Sequence, residues 1–428
     1  MNAFGKRNGV AYGLMGLPLA FVALPLYVLL PNHYAKEFGI PLAVLGAILL
    51  GARLFDAFID PMLGRASDRL FARSARSILV GASVAAGVLA AGFVLLFFPQ
   101  LFIAVASPRA VTVWASAVLL VTYTAYSFLS VSHQSWGAML GGNEAQRARI
   151  VAWREAFGLV GVVTASVLPV ALGLPTTTAV FAVALVVGWL AWTRAVPPLV
   201  KTNAAARVPG ALWLPFRHGN FKRLLLVFML NGTASAVPAT LVLFFIQDRL
   251  QAPSAMEPLF LGSYFLAAAL SIPFWLAVVR RIGLARTWLC GVALAIAVFI
   301  WATQIGSGMT GAFVAICVLS GIALGTDLAL PGALLAGVIQ RNGDSGQSEG
   351  AYFGWWNFAT KLNLALAAGL ALPLLALFGY APGGRSPEAL NALVVAYCVL
   401  PCVLKFAAGL ALYFLIICHP PEPDRSLP

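Results

Sequence analysis

"LGARLFDAFIDPMLGRASDRLFARSAR", residues 50–76, sets Arg53, Asp56 and Asp60 inside a long apolar run and then releases a burst of positive charge. The run around it is long enough to cross a hydrocarbon core, which takes about 20 apolar residues. A charge at mid-bilayer costs several kcal/mol, so each one needs a partner or a purpose. On a helix of 3.6 residues per turn, positions 53, 56 and 60 fall within an arc of roughly 60°. All three therefore share one face, which must look toward the interior of a helix bundle. Arg53 and Asp56 are three residues apart and can pair. That leaves a net negative site of low dielectric, suited to holding a cation or taking up a proton. The bland reading is an Arg–Asp clamp to a neighbouring helix. It weighs evenly for Arg53 and less for the aspartates, since one acid would suffice.

The rest of the 428-residue chain supports a bundle. Hydrophobic residues make up 61% and charged residues 10%, and the mean hydropathy is +0.92, which leaves too little polar surface for a soluble protein of this length. Spans are expected near 10–32, 38–62, 77–98, 111–138, 150–173 and 178–196, then near 223–246, 256–279, 287–305, 310–338, 351–379 and 390–417. The basic, apolar start resembles a signal peptide, but the run is too long and no small-residue cleavage site follows, so it reads as a retained span. The stretch "PPLVKTNAAARVPGALWLPFRHGNFKR" divides the spans into two groups of six. The expected organisation is a first six-helix bundle over 1–196, a cytoplasmic linker over 197–222, a second bundle over 223–417 and a tail over 418–428.

Charge gives an orientation. With the N-terminus cytoplasmic, twenty of the 27 Lys and Arg residues lie in cytoplasmic segments. Only Lys36, Arg109, Arg249 and Arg385 lie opposite, and Arg53, Lys361 and Lys405 fall inside spans. This asymmetry places both termini inside. It also explains the net charge of +13 as membrane topology, because the basic residues form no single face of the kind nucleic acid needs. The five cysteines read as small buried hydrophobes. No His-rich metal cluster, nucleophile elbow or phosphate loop occurs, which argues against an enzyme.

Other polar residues in the spans stand out. Lys361, in "GAYFGWWNFATKLNLALAAG", has Asn357 one turn before it and Trp355 and Trp356 close by. It is expected to face a cavity and balance Asp56 and Asp60; a snorkelling interfacial lysine is the plainer alternative. Asp68 is expected to pair with loop arginines, Arg69 among them, and hold one conformation. Asp327 reads equally as a cavity acid or as a polar spot before Pro331. Lys405, on the last span, is expected to snorkel. His133 and Gln134 suit either a polar cavity or interhelical hydrogen bonds. Arg154 and Glu155, being adjacent, are expected to point to different sides of their helix, with Arg154 either a gate or a topological anchor.

These residues resemble the glycoside–pentoside–hexuronide:cation symporters, the melibiose-permease branch of the major facilitator superfamily. "RLFDAFIDPMLGRASDR" looks like that family's R-x-x-D-A-x-x-D-P-x-x-G signature running into the G-x-x-x-D-R loop motif. "YGLMGLPLA", "QRARIVAWREAFGLVG" and "YFGWWNFATKLNLALAAG" are similar to its helix I, helix IV–V and helix XI regions. The resemblance implies an all-α protein of twelve transmembrane helices in two six-helix halves, working as a cation-coupled symporter of a sugar, glycoside or similar small polar solute. It implies Asp56 and Asp60 as the cation carboxylates, with Ser127 of "YSFLSVSH" a hydroxyl near the ion. Lys361 would then lie between cation and substrate, and Arg154 would match the helix V arginine. Asn357, Trp356 and Gln134 complete the expected substrate set. The family's sugar-binding acids are replaced by Ala20 and Ser130, and a helix IV proline by Ser132. These departures keep open a second cargo, a lysophospholipid or related amphiphile. The coupling ion, Na⁺ or H⁺, is the only ion or cofactor expected. The protein is expected to act as a monomer amid lipid, in a bacterial inner membrane by its Ala-, Gly- and Arg-rich usage.

Overall fold

The computed structural model describes residues 4–103, 107–198, 212–380 and 386–418. Among them the chain is helical throughout, and by packing it divides into two compact units. One comprises residues 1–215 with 342–358; the other comprises 216–341 with 359–428. Half of the sequence's proposed linker, residues 199–211, lies outside the described residues.

The first unit opens on α1 (Lys6–Gly13) and α2 (Gly16–Leu24), a π-helical turn over Pro25–Leu29, and α3 (Leu30–Phe38). It continues through α4 (Leu42–Arg73), α5 (Ala75–Phe97), α6 (Pro108–Met139) and α7 (Glu144–Thr193). The turns between helices carry their own caps. Ser74, Ser107 and Asn143 each accept a backbone N–H from the first turn of α5, α6 and α7. α7 is two spans joined at Gly173, whose φ of 77° breaks the helix between Pro169 and Pro175. The sequence reading of separate spans at 150–173 and 178–196 agrees with this.

Close packing rests on small residues. A Cβ on Gly161 would lie 2.2 Å from the carbonyl oxygen of Leu17, so α2 and α7 meet backbone to backbone. Phe181 stacks on Phe21 and makes a tilted contact with Phe93, joining α2, α5 and α7 in one buried core.

The second unit holds α8 (Gly219–Phe244), α9 (Glu257–Ile282), α10 (Leu284–Ala302) and α11 (Thr310–Arg341). The later part of α12 (Glu349–Leu377) belongs to it, as do α13 (Pro387–Val394) and α14 (Leu400–Leu412), which a π-helical turn over Val395–Val399 links into one span. Its core centres on Phe245, whose ring stacks on Tyr397 at 4.3 Å and lies 5.7 Å from Phe313.

Eleven helices among the described residues are long and apolar enough to cross a membrane. With α4, 32 residues long, they account for the twelve expected spans. This is a multi-pass membrane protein.

Candidate functional site

The acids that opened the reading sit on α4, and their side chains turn inward as the helical arc required. Asp56 and Asp60 are both buried, at 1% and 0% exposure. Ser127, on α6, donates its hydroxyl to Asp56 Oδ1 at 2.6 Å. Two carboxylates one turn apart and a hydroxyl from the facing helix thus meet in the first unit. Oxygen ligands of this kind suit a hard monovalent cation, and either carboxylate can take a proton. The guanidinium of Arg53 lies over the ring of Tyr27, 4.4 Å from its centroid, so a cation–π contact ties α4 to the first span.

A turn below the acids, α4 meets the start of α12. A Cβ on Gly64 would lie 2.0 Å from the carbonyl oxygen of Gly350, and one on Gly354 would lie 2.7 Å from that of Asp60. Only glycine permits this approach. It brings buried Asp68 against the first turn of α12, where the carboxylate accepts the N–H of Gly350 at 2.6 Å and of Ala351 at 2.8 Å. The expected pairing with loop arginines is therefore corrected. Asp68 caps another helix, because free N–H groups and the positive end of the helix dipole gather there. Arg69 is exposed at the end of α4.

Arg154 and Glu155 do not diverge: the guanidinium folds back, Nε donates to Glu155 Oε1 at 2.9 Å, and the two form an ion pair. Their Cβ directions differ by about 100°, but the side chains are long enough to curl together. Gln134 donates to Ser130 Oγ at 2.9 Å along the same helix. His133 settles on interhelical bonding, with Nε2 at 2.8 Å from the Tyr12 carbonyl oxygen. Tyr12 returns a hydroxyl donation to the His133 carbonyl at 3.1 Å, and the rings stack at 4.4 Å. Asn357 and Lys361 lie one turn apart on α12, Trp356 is buried, and Trp355 donates Nε1 to the Leu212 carbonyl at 2.7 Å.

The second unit holds a polar cluster that sequence reasoning missed. Lys405 is buried at 5% exposure and does not snorkel. Its Nζ donates to Asp327 Oδ2 at 3.0 Å and to Asn231 Oδ1 at 2.9 Å. Asp327 also accepts Asn231 Nδ2 at 3.0 Å, Trp288 Nε1 at 2.8 Å and Ser235 Oγ at 3.1 Å. A buried ammonium needs such compensation, and α8 and α11 supply it. The signal lay in the sequence as Asn231, Asp327 and Lys405, each a strongly polar residue in a different apolar span.

The symporter YjmB of Bacillus subtilis is 22% identical over 96% of this chain and 91% of its own length. YagG of Escherichia coli, named for glycoside/cation symport, is 24% identical over 36% of the chain. The sodium-dependent lysophosphatidylcholine symporter 1 of Xenopus tropicalis is 30% identical over 35%. The chain spans only about a third of the length of these last two, 32% and 29%. Among solved structures, the Escherichia coli fucose:proton symporter FucP superposes with a TM-score of 0.71 over 96% of this chain and 99% of its own, at 12% identity, which bears on the fold alone. The major facilitator fold and the resemblance drawn from the α4 motif are both borne out. The family model for MFS/sugar transport proteins matches residues 8–418, and the chain belongs to that family, whose members are secondary transporters.

Proposed function

We propose that this protein is a cation-coupled symporter of a glycoside or similar small polar solute, with Asp56, Asp60 and Ser127 as its cation site. The observation that carries the reading is the buried Asp56–Ser127 hydrogen bond one helical turn from buried Asp60. Two acids in an apolar bundle are costly unless a protein cation, an ion or a proton balances them. Binding Na⁺ or H⁺ neutralises that face of α4 and lets the loaded carrier rock between its two openings. Each charge carried inward contributes about 2.3 kcal/mol per 100 mV of membrane potential, which drives uptake.

In this reading Lys361, Asn357, Trp356, Ser130, Gln134 and Arg154 read the solute. Arg53 and Arg69 steady α4. Two six-helix halves, 1–196 and 223–417, move about the linker, with both termini cytoplasmic. The protein works as a monomer in a bacterial inner membrane and catalyses no chemical step. A lysophospholipid is the second cargo to consider. The partial match to a lysophosphatidylcholine symporter favours it, and so does the replacement of sugar-binding acids by Ala20 and Ser130.

The test is thermal unfolding of the purified protein against Na⁺, Li⁺ and pH, for wild type and Asp60→Asn. Stabilisation by one ion in wild type, abolished by the substitution, supports a coupling site. Uptake of labelled glycosides or lysophosphatidylcholine into vesicles under that ion's gradient then separates the cargoes. Identical responses in both proteins would reduce the acids to a structural clamp.

A further inference from the structure

The Asp327–Lys405 pair does more than hold helices together, because it borders a partly open cavity of about 330 Å³ lined by the second unit. This cavity is of ligand size, at the small end of the range of about 300–1,000 Å³. Its walls are largely apolar, with the rings of Tyr264, Phe265, Phe299 and Tyr397 around the space and the ion pair at its edge.

The donors and acceptors of the pair differ in how far they are satisfied. Both oxygens of Asp327 are taken twice, by Asn231 and Trp288 on one side and by Ser235 and Lys405 on the other. The ammonium of Lys405 has three N–H donors, of which Asn231 and Asp327 occupy two. One donor therefore remains on a residue that lines the cavity. The pair is neutral as a whole, so a charged ligand would be buried there without compensation. An uncharged ligand meets no such penalty.

We propose that this cavity is a binding site for an uncharged, apolar-bodied molecule bearing a single acceptor oxygen, the body packed between the aromatic rings and the oxygen taking the remaining N–H of Lys405. Asp327 positions the lysine. The site stands apart from the acids of α4 and does not depend on how the protein couples ions.

Hydrocinnamamide is a suitable probe, with hydrocinnamate as its charged counterpart. The full chain in detergent is titrated with each, and the thermal unfolding midpoint is followed. The midpoint should rise saturably with the amide, and the carboxylate should do little. Lys405→Met should weaken the amide's apparent affinity about tenfold or more, the loss expected for one charge-assisted hydrogen bond. Ala239→Trp fills the cavity and leaves the pair intact, and it should abolish the response. If Lys405→Met cannot be recovered folded, Ala239→Trp decides alone. A wild-type response in Ala239→Trp or in folded Lys405→Met overturns the site. Equal binding of the carboxylate overturns the ligand class.

Discussion

Replacing Asp68 by Asn tests whether this carboxylate fastens α4 to the start of α12. The substitution keeps the shape and removes the charge. In the wild type both oxygens accept backbone N–H groups, from Gly350 at 2.6 Å and Ala351 at 2.8 Å. Asparagine can serve one of them and turns its own NH₂ toward the other. The loss is one charge-assisted hydrogen bond, about 1.5–3 kcal/mol, and the attraction of a carboxylate to a helix N-terminus, about 0.3–2 kcal/mol. These overlap, so roughly 2–4 kcal/mol is the expected sum. Opposing it is the desolvation of a fully buried acid, which asparagine largely escapes. The capping geometry satisfies both oxygens, so the favourable interactions should prevail. Hydrogen–deuterium exchange reads the result directly, through peptides covering residues 346–353. At 1.4 kcal/mol per decade, exchange at Gly350 and Ala351 should quicken about 30- to 700-fold in Asp68→Asn. Peptides from α5 should be unaffected. Unchanged or slower exchange at the start of α12 would mean that desolvation cancels the cap and that the glycine contacts alone hold the helices. Equal acceleration in α5 would mean general loosening instead.

The glycine contact has its own test. Gly64→Ala places a methyl 2.0 Å from the Gly350 carbonyl oxygen, so it should speed exchange over the same peptide with Asp68 intact, at a cost of about 1–3 kcal/mol. Ser127→Ala removes the donor to Asp56; the midpoint shift with the stabilising cation should need several-fold more ion but persist, whereas Asp60→Asn should lose it. Tyr12→Phe keeps the stack on His133 and deletes one hydroxyl donation. It should cost about 0.5–1.5 kcal/mol in thermal unfolding, and His133→Ala, which removes the stack as well, should cost more.

What the sequence disclosed and what it withheld have one physical origin. Apolar length announces a span, so the helices of both units were legible. So was the break in α7, where Pro169, Gly173 and Pro175 advertise it. Helical periodicity put Asp56 and Asp60 on an inward face. Ser127 came through the resemblance, because its partner is 71 residues away and periodicity does not reach across helices. Asp68 was misassigned for a sharper reason: its partners are backbone N–H groups, and every helix start has those. The nearby arginines were merely conspicuous. Lys405 was read by its own position, as a long cation on an outlying span free to reach the interface. That argument considers one side chain against a membrane. A buried ammonium survives when other helices bring an acid and an amide to it, and here Asp327 and Asn231 do so from α11 and α8. The useful rule is a matching one. Strongly polar residues stranded in separate apolar spans should be paired with each other before any is assigned to the interface, since in hydrocarbon each is the cheapest partner the others have.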